Sequence, residues 1–204
     1  ATGAQGASRF EVVGKSPMLM PEGFCYGNMG GFWGPGLKRA GFDGLMVCGK
    51  ARRPVYLFIS DGKAKLQDAD IIHLEGVKQV GTYLKQKHGK NTHFITTGPA
   101  GMNLCRNANL MTDNEGSATG GFGAVLGSKN LKAIAVKGTQ SPRISDPEEL
   151  KQLNRLTIKL NQREASFNPF PEDQISHAGK ASCFQCGLDC IMRSTFKTRS
   201  NREV

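Results

Sequence analysis

Three cysteines near the end of the chain have the spacing that most clearly points to chemistry. Cys183, Cys186 and Cys190 lie in the segment SCFQCGLDC, at C-x2-C-x3-C spacing. Clustered thiolates bind soft metals, so the spacing predicts either a zinc site or an iron–sulfur cluster. A zinc site would take further ligands from elsewhere, with His177 as a candidate, whereas a cubane cluster would take one remote cysteine. The spacing favours cluster and zinc equally, with free structural thiols as a minor third interpretation.

Two glycine-rich segments form a second group of candidate residues. They are Phe24–Gly36 and Asn114–Asn130, and each must either turn tightly or lie close to another group. Neither has the spacing of a P-loop or a clear dinucleotide-binding fingerprint. Glycine-lined backbone near Arg9 and Asn28 could bind a phosphate through amide N–H groups. The alternative is a set of tight turns in a β-rich domain, which the residues alone favour.

The other cysteines, Cys25, Cys48 and Cys105, are scattered, and their apolar surroundings predict packed thiols. The first ten residues have neither a basic start nor an apolar core, so no signal peptide is expected there. Six cysteines in 204 residues without such a signal indicate a reducing compartment, the cytoplasm. In that compartment clustered cysteines bind metal more often than they form disulfides.

The formal net charge of +10 raises the question of nucleic acid binding. The densest basic clusters, Lys50–Arg53 and Lys197–Glu203, contain no interleaved aromatic residues of the kind that stack on single strands. A solvated basic surface is therefore expected, and a nucleic acid partner is not. No run of about 18 apolar residues is present, which argues against a transmembrane helix and membrane insertion.

Local patterns predict the strands that must position these residues. β-branched and aromatic residues flank an Asp61-Gly62 turn, which is typical of a β-hairpin. The segment around the second group of glycines is expected to lead from a loop into a short helix. Apolar segments predict further strands within Arg9–Pro17, Gly44–Cys48, Thr92–Gly101 and Leu131–Gly138.

Two longer helices are also predicted. Leu74–Lys90 has apolar residues at helical spacing, and Gly89 is placed to end the helix. Asp146 as N-cap, Pro147 in the first position and Glu149 in the third predict the start of the other helix.

Together these patterns predict an α+β fold. The predicted domains are residues 1–140, a β-rich N-terminal domain with short helices, and residues 141–204, a helical, cysteine-bearing tail. With 38% hydrophobic and 22% charged residues, a chain of 204 residues is long enough to bury a sizeable core.

Five longer segments carry a resemblance to a known family: SRFEVVGKSP, GNMGGFWGPGLKRAGFDGLMVCGKARRPVYLFI, GPAGMN, GGFGAVLGSKNLKAIAVKG and CFQCGLDC, in this order. They resemble the tungsten-containing aldehyde ferredoxin oxidoreductases, a family that includes class II benzoyl-CoA reductase subunits. The resemblance covers most of residues 1–138 and resumes at Cys183, Cys186 and Cys190. It implies a β-rich domain of two sheet-like halves, which forms a base for a tungsten or molybdenum bis-pterin cofactor, with helical domains closing over it.

The resemblance also implies an activity and partners. The enzyme would oxidise a small aldehyde or a related carbonyl substrate to a carboxylic acid. Ferredoxin or an iron–sulfur electron-transfer subunit would accept the electrons. A homodimer or a larger complex is the assembly that the resemblance implies.

The site residues that the resemblance implies lie in the two glycine-rich segments and just before them. Arg9 would lie between the pterin and the cluster, and Asn28 and Gly30 would belong to the loop that contacts the pterin phosphate. Gly31 and Gly116 are the neighbouring glycine positions of the two cofactor loops. The carbonyl of Asn28 would help to hold a magnesium ion that bridges the two phosphates.

By the same resemblance, Cys183, Cys186 and Cys190 match three ligands of a 4Fe–4S cluster, and the fourth ligand is expected beyond Val204. Glu115 stands where many members have an arginine near the phosphate, and a carboxylate would repel a phosphate. We therefore expect that Glu115 does not form a phosphate clamp.

The helical domains of the family are not matched in these 204 residues, so this chain alone is not expected to oxidise aldehydes. The alternative function is a non-catalytic scaffold or an electron-transfer paralogue that holds only a cluster or zinc.

Overall fold

The computed structural model describes residues 4–114, 116–161, 175–186 and 191–196. Their contacts divide them into two compact units. One is Ser8–Arg143, and the other combines Ala4–Ala7 with the described residues from Ile144 onward. No helix in the described residues is long and apolar enough to cross a membrane.

The first unit is rich in β-structure with short helices, which confirms the predicted α+β fold. Its strands are β1 Phe10–Ser16, β2 Gly23–Met29, β3 Val55–Ser60, β4 Lys63–Asp68, β5 His93–Thr97, β6 Leu110–Thr112, β7 Ser117–Ala118 and β8 Leu131–Lys137. Its helices are α1 Trp33–Arg39, α2 Val77–His88, α3 Pro99–Met102 and α4 Phe122–Ser128.

Six of these strands form one sheet, in the order β4-β3-β8-β5-β6-β7. β3 and β8 are parallel, and the other neighbours are antiparallel. β1 and β2 form a separate antiparallel ladder, in which Glu11 lies opposite Asn28. This ladder positions Arg9, which directly precedes β1, and Asn28, which lies near the end of β2.

The central strand β8 is buried on both faces because helices cover both sides of the sheet. Ile134 and Val136 belong to a core with Trp33 of α1 and Phe122 of α4. The alternate residues of β8 belong to a second core, which includes Leu84 of α2. The alternation of side chains along a strand thus builds two cores from one sheet.

The predicted hairpin and helix are present. β3 pairs with β4 through a turn in which Asp61 has φ +42° and Gly62 has φ +83°, the conformation that Asp-Gly turns favour. α2 ends at His88, and Gly89 follows with φ +102°. The short helix expected after the second glycine segment is α4.

One local prediction was wrong. Gly44–Cys48 forms no strand, and Met46 in it is 85% exposed, since no neighbouring strand pairs with this segment. The first glycine-rich segment begins in strand β2, and its predicted close approach to another group is seen at Gly27. Gly27 in β2 lies against β7, where an added Cβ would be only 2.7 Å from the Cβ of Ala118. The absence of a side chain at Gly27 therefore allows the two strands to pack closely.

The second unit contains helix α5, Pro147–Asn161, and strands β9, Ile175–Ala181, and β10, Ile191–Phe196. The backbone N–H of Glu149 donates to Asp146 Oδ1 at 2.9 Å, which is the predicted N-cap. β9 and β10 pair antiparallel, so this unit contains a two-stranded ladder besides its helix. The cysteine segment lies between these two strands.

Candidate functional site

Arg9 and Asn28 form a hydrogen-bonded pair on the surface of the first unit. Arg9 Nε donates to Asn28 Oδ1, and Arg9 Nη2 donates to the Asn28 backbone carbonyl at 3.0 Å. Both residues are exposed. The guanidinium is therefore held in one orientation while further N–H donors remain to bind an anion.

The two predicted glycine segments meet in space. We define the glycine loop as Gly30, Gly31 and Phe32, which follow β2, and the threonine turn as Thr112, Asp113, Asn114 and Gly116. A Cβ added at Gly116 would lie 3.2 Å from the Gly30 carbonyl oxygen and 3.0 Å from Thr112 Oγ1. Gly31 has φ +99°, which favours glycine, and an added Cβ there would lie 3.3 Å from Thr112 Oγ1. The glycines therefore allow the loop and the turn to pack backbone against backbone.

Thr112 holds the threonine turn in shape, and our sequence reasoning missed it. Its Oγ1 accepts the backbone N–H of Gly116 at 2.9 Å and that of Asn114 at 3.3 Å. Its own N–H donates to the Gly116 carbonyl at 2.8 Å. A threonine that closes a local turn with its hydroxyl is a known pattern, so the Thr-Asp-Asn sequence was an available signal. Glu115 lies outside the described residues, so its role stays a prediction.

A cleft of about 460 Å³ lies in the first unit between the β1–β2 ladder and helices α1 and α4. Its walls are mostly apolar, with Trp33 and Phe122 among them. The charged residues that line it are Arg9, Glu11, Lys38, Asp43 and Lys129. Lys38 and Asp43 are paired to each other. Such a cleft can bind an apolar or planar group beside a cation.

Two of the predicted metal ligands lie on one tight turn in the second unit. The N–H of Cys186 donates to the Cys183 carbonyl at 3.0 Å, and Gln185 between them has φ +50°. Both thiols are half-buried, and neither forms a disulfide. This is the arrangement in which a C-x2-C pair presents two sulfurs to one metal.

Cys190 and the side chain of His177 lie outside the described residues, so the third cluster ligand and the zinc alternative stay predictions. Among the described residues, no three histidine, cysteine, aspartate or glutamate side chains are grouped closely enough to hold a metal. Residues 4–7 support the cysteine turn, since the N–H of Gly6 donates to the Gln185 carbonyl at 2.9 Å.

The prediction of packed thiols was wrong for Cys48 and Cys105, which are exposed. Both lie in irregular segments, where no neighbouring element covers them. Cys25 is half-buried against the core of the first unit, as predicted.

The clearest pKa shifts lie on the α2 side of the sheet, away from the glycine loop. Burial lowers the pKa of Lys132 to about 8, and its Nζ donates to the Glu75 carbonyl at 2.8 Å. Burial lowers the pKa of His88, and the charges of Lys87 and Lys137 lower it further. Burial also raises the pKa of Tyr56, whose Oη lies 2.9 Å from His88 Nε2.

Residues 1–138 match the family model described as aldehyde ferredoxin oxidoreductase, N-terminal domain. The chain belongs to the aldehyde ferredoxin oxidoreductase family. Arg9, Asn28, the glycine loop and the threonine turn all lie within the matched residues, whereas Cys183, Cys186 and Cys190 lie after them. The predicted family is therefore confirmed.

Curated relatives in this family include proteins of Pyrococcus and Thermococcus species. A tungsten-containing aldehyde ferredoxin oxidoreductase of Pyrococcus furiosus is 40% identical over 151 residues, which are 72% of this chain and 24% of the relative. The enzyme of the same name from Thermococcus kodakarensis is 39% identical over 151 residues, with the same shares. The aliphatic sulfonate oxidoreductase WOR-like subunit of Pyrococcus furiosus is 35% identical over 169 residues, 76% of this chain and 27% of that subunit. The chain thus spans about a quarter of the length of these relatives.

A solved structure supports the fold assignment. The active site complex BamBC of benzoyl coenzyme A reductase, in complex with 1,5-dienoyl-CoA, superposes with a TM-score of 0.81 and 23% identity. The superposition covers 99% of this chain and 38% of the other. At this identity the likeness shows a shared fold.

The first unit fits the tungsten–pterin cofactor of the family. A pterin cofactor is planar and anionic, and the first unit offers a cleft, an oriented guanidinium and two glycine-rich backbone segments in contact. Glu11 lies opposite Asn28 on the same exposed face, and it is the carboxylate that an anion would have to avoid there.

Proposed function

We propose that this chain forms the cofactor-binding base of a tungsten or molybdenum bis-pterin oxidoreductase that oxidises aldehydes to carboxylic acids. The observation that supports this most directly is the contact between the glycine loop and the threonine turn. The glycine loop follows shortly after Asn28, which is paired with Arg9. All of these residues lie within the part of the chain that matches the family model. When bound, such a cofactor supplies the two-electron redox chemistry, so the protein contributes binding, orientation and electrostatics.

Arg9 is the residue that we assign to orienting the cofactor. Its guanidinium is exposed, yet its two bonds to Asn28 restrict its rotation before any anion binds. A group that is ordered in advance loses less conformational entropy on binding. Arg9 would thereby donate hydrogen bonds to a pterin or a phosphate from a defined position.

A magnesium ion between the pterin phosphates also belongs to the proposal, with Asn28 as one ligand. The Asn28 carbonyl already accepts a hydrogen bond from the Arg9 guanidinium at 3.0 Å. A divalent cation on the other lone pair would lie near that positive charge, and like charges repel. We propose that the ion depends mainly on phosphate oxygens and water, with the Asn28 carbonyl as a minor ligand.

The cysteine turn would hold part of a 4Fe–4S cluster through Cys183, Cys186 and Cys190. The turn between Cys183 and Cys186 supports this because both thiols belong to one short, hydrogen-bonded backbone segment. Cluster iron prefers thiolate ligands.

The electron acceptor would be an acidic protein, ferredoxin or an iron–sulfur subunit. A cationic face of the first unit supports this, and we define it as Lys63 and Lys65 of β4, Lys137 of β8, and Lys87 of α2. β3 brings these elements together, since Phe58 lies opposite Lys65, Ser60 lies opposite both Lys63 and Lys137, and His88 stacks on Phe58 at 3.8 Å. Opposite charge on two proteins accelerates their encounter.

A second candidate is an electron-transfer or scaffold protein that holds only a cluster or zinc. The observation behind it is that the cysteine turn lies in a different compact unit from the glycine loop, so metal binding there would not require a pterin.

Metal and pterin analysis of anaerobically purified chain tests the proposal. Tungsten or molybdenum together with iron and extractable pterin is the expected result. Iron alone, or zinc, without pterin would contradict it and support the second candidate.

Two variants locate the sites. Arg9→Ala should lower pterin and tungsten but leave iron, whereas Cys186→Ala should lower iron but leave pterin. Arg106→Ala is the matched control for Arg9, because Arg106 is also exposed and donates to a backbone carbonyl, that of Pro17. An equal loss of pterin in Arg106→Ala would refute the assignment of Arg9.

A further inference from the structure

We propose that His93 is a positioning residue that locks the glycine loop to the threonine turn; this inference rests on the proposed function. One imidazole ring contacts both segments. The ring stacks on Phe32 of the glycine loop, with ring centroids 5.3 Å apart and an interplanar angle of 18°. Its Nδ1 lies 2.9 Å from Asp113 Oδ2 of the threonine turn. Since a carboxylate only accepts, Nδ1 carries the proton and donates it.

Asp113 depends strongly on this bond. Its side chain is 5% exposed, and its Oδ1 has no hydrogen-bond partner among the described residues. Its Oδ2 has two cationic or donor neighbours, His93 Nδ1 and Lys85 Nζ, the latter at 3.6 Å. A buried carboxylate is costly unless it is paired, so loss of the His93 donor would displace Asp113 or draw in water.

The position of the link in the sequence makes it relevant to the site. Phe32 directly follows Gly31, and Asp113 directly follows Thr112. A movement of Phe32 or Asp113 would therefore disturb the contact between Gly116 and the Gly30 carbonyl. Binding sites need such supporting contacts to hold their geometry. His93 itself belongs to β5, so a rigid strand of the sheet sets the spacing of both segments.

Two substitutions separate the functions of the ring. His93→Phe keeps an aromatic ring against Phe32 but removes the donor to Asp113. His93→Asn keeps an N–H donor near the position of Nδ1 but removes the ring. We expect His93→Phe to lower pterin and tungsten per chain about tenfold, because a buried carboxylate that loses its hydrogen-bond donor is the larger loss. His93→Asn should retain an intermediate amount, so the conservative donor partly rescues the site.

The second readout needs no cofactor. Amide hydrogen exchange of residues 30–32 and 112–116 in cofactor-free chain should become about tenfold faster in His93→Phe. If the unsubstituted chain contains no pterin, the proposed function fails, yet exchange still decides whether His93 links the two segments. Should His93→Phe not fold, Phe32→Leu removes the stacking partner alone and should accelerate exchange in the threonine turn.

His88 is the matched control. It also bridges an aromatic ring and a polar group, since it stacks on Phe58 at 3.8 Å and lies 2.9 Å from Tyr56 Oη. It contacts neither the glycine loop nor the threonine turn. His88→Phe should lower thermal stability but leave pterin content and exchange at both segments unchanged. Equal pterin loss in His88→Phe, or unchanged exchange in His93→Phe, would overturn the proposal.

Discussion

Single side chains decide whether the glycine loop and the threonine turn keep their shape. Thr112 is 1% exposed, and its hydroxyl accepts the backbone N–H groups of Asn114 and Gly116. Buried donors without an acceptor destabilise a fold. The hydroxyl, rather than the volume of the side chain, is therefore what the turn requires.

Thr112→Val tests this requirement because valine has nearly the same shape without the acceptor. We expect a loss of about 1–3 kcal/mol in the free energy of unfolding, measured in urea, together with lower pterin content. Thr82→Val is the control, since Thr82 is exposed on α2 and its hydroxyl donates only to the Lys78 carbonyl. A loss in Thr82→Val equal to that in Thr112→Val would contradict the assignment.

Lys132 gives a pH-dependent prediction at the same scale. Its folded pKa of about 8 lies below the usual 10.5, so between these values the unfolded chain binds the proton and the folded chain does not. This group therefore lowers stability below pH 8 and makes stability rise as the pH rises from 8 towards 10.

Lys132→Met should remove that rise, which we expect to be on the order of 2 kcal/mol. The measurement is urea unfolding of both chains at pH 8 and pH 10. A rise of the same size in Lys132→Met would assign the effect to other groups.

At the scale of elements, close approach of α2 to the sheet depends on a glycine in a helix. Gly81 lies on the buried side of α2, and an added Cβ would be 2.7 Å from Cζ of Phe94 on β5. Phe94 is itself 2% exposed and cannot easily move. Packing thus overrides helix propensity at this position.

Gly81→Ala should destabilise the chain although alanine is the better helix former. Overpacking costs about 1–3 kcal/mol, which exceeds the gain of about 1 kcal/mol in propensity. Thermal unfolding measures the net change. The control is Gly44→Ala, where an added Cβ has no atom within 4 Å, and which should leave stability unchanged or slightly higher. A stabilised Gly81→Ala chain would refute the packing argument.

At the scale of the whole molecule, part of the positive charge is grouped on the cationic face. The formal net charge is +10, and Lys63 and Lys65 of the cationic face line a hollow of about 390 Å³. Asp61 also lines this hollow, but its carboxylate accepts hydrogen bonds from Thr139. A localised cationic face favours one orientation of an acidic partner.

The double substitution Lys63→Glu with Lys65→Glu should slow association with an acidic ferredoxin about tenfold at low salt, with a smaller effect at 0.5 M salt. Stopped-flow mixing of each chain with the ferredoxin measures the association rate. Lys50→Glu with Arg52→Glu changes the net charge equally at another exposed cluster and is the control. Equal slowing in both variants would mean that only net charge matters.

Local sequence signals determined the elements whose cause is local. The Asp61-Gly62 turn adopts positive φ, Gly89 follows the end of α2, and Asp146 caps α5, because each depends on the conformation of a few adjacent residues. The family was also recognisable from the sequence, since the segments that resemble it lie mostly in residues 1–138, the part that matches its model.

Contacts between distant segments were decided only by the tertiary structure. Gly23–Met29 is a strand because β1 pairs with it and β7 packs on Gly27. Gly44–Cys48 is also apolar, but no strand pairs with it, and it forms no strand itself. Gly30 meets Gly116, and His93 joins Phe32 to Asp113, across separations of 20 to more than 80 residues. No local pattern reports such pairs, because their stability comes from burial and hydrogen bonding that exist only once the sheet has brought the segments together.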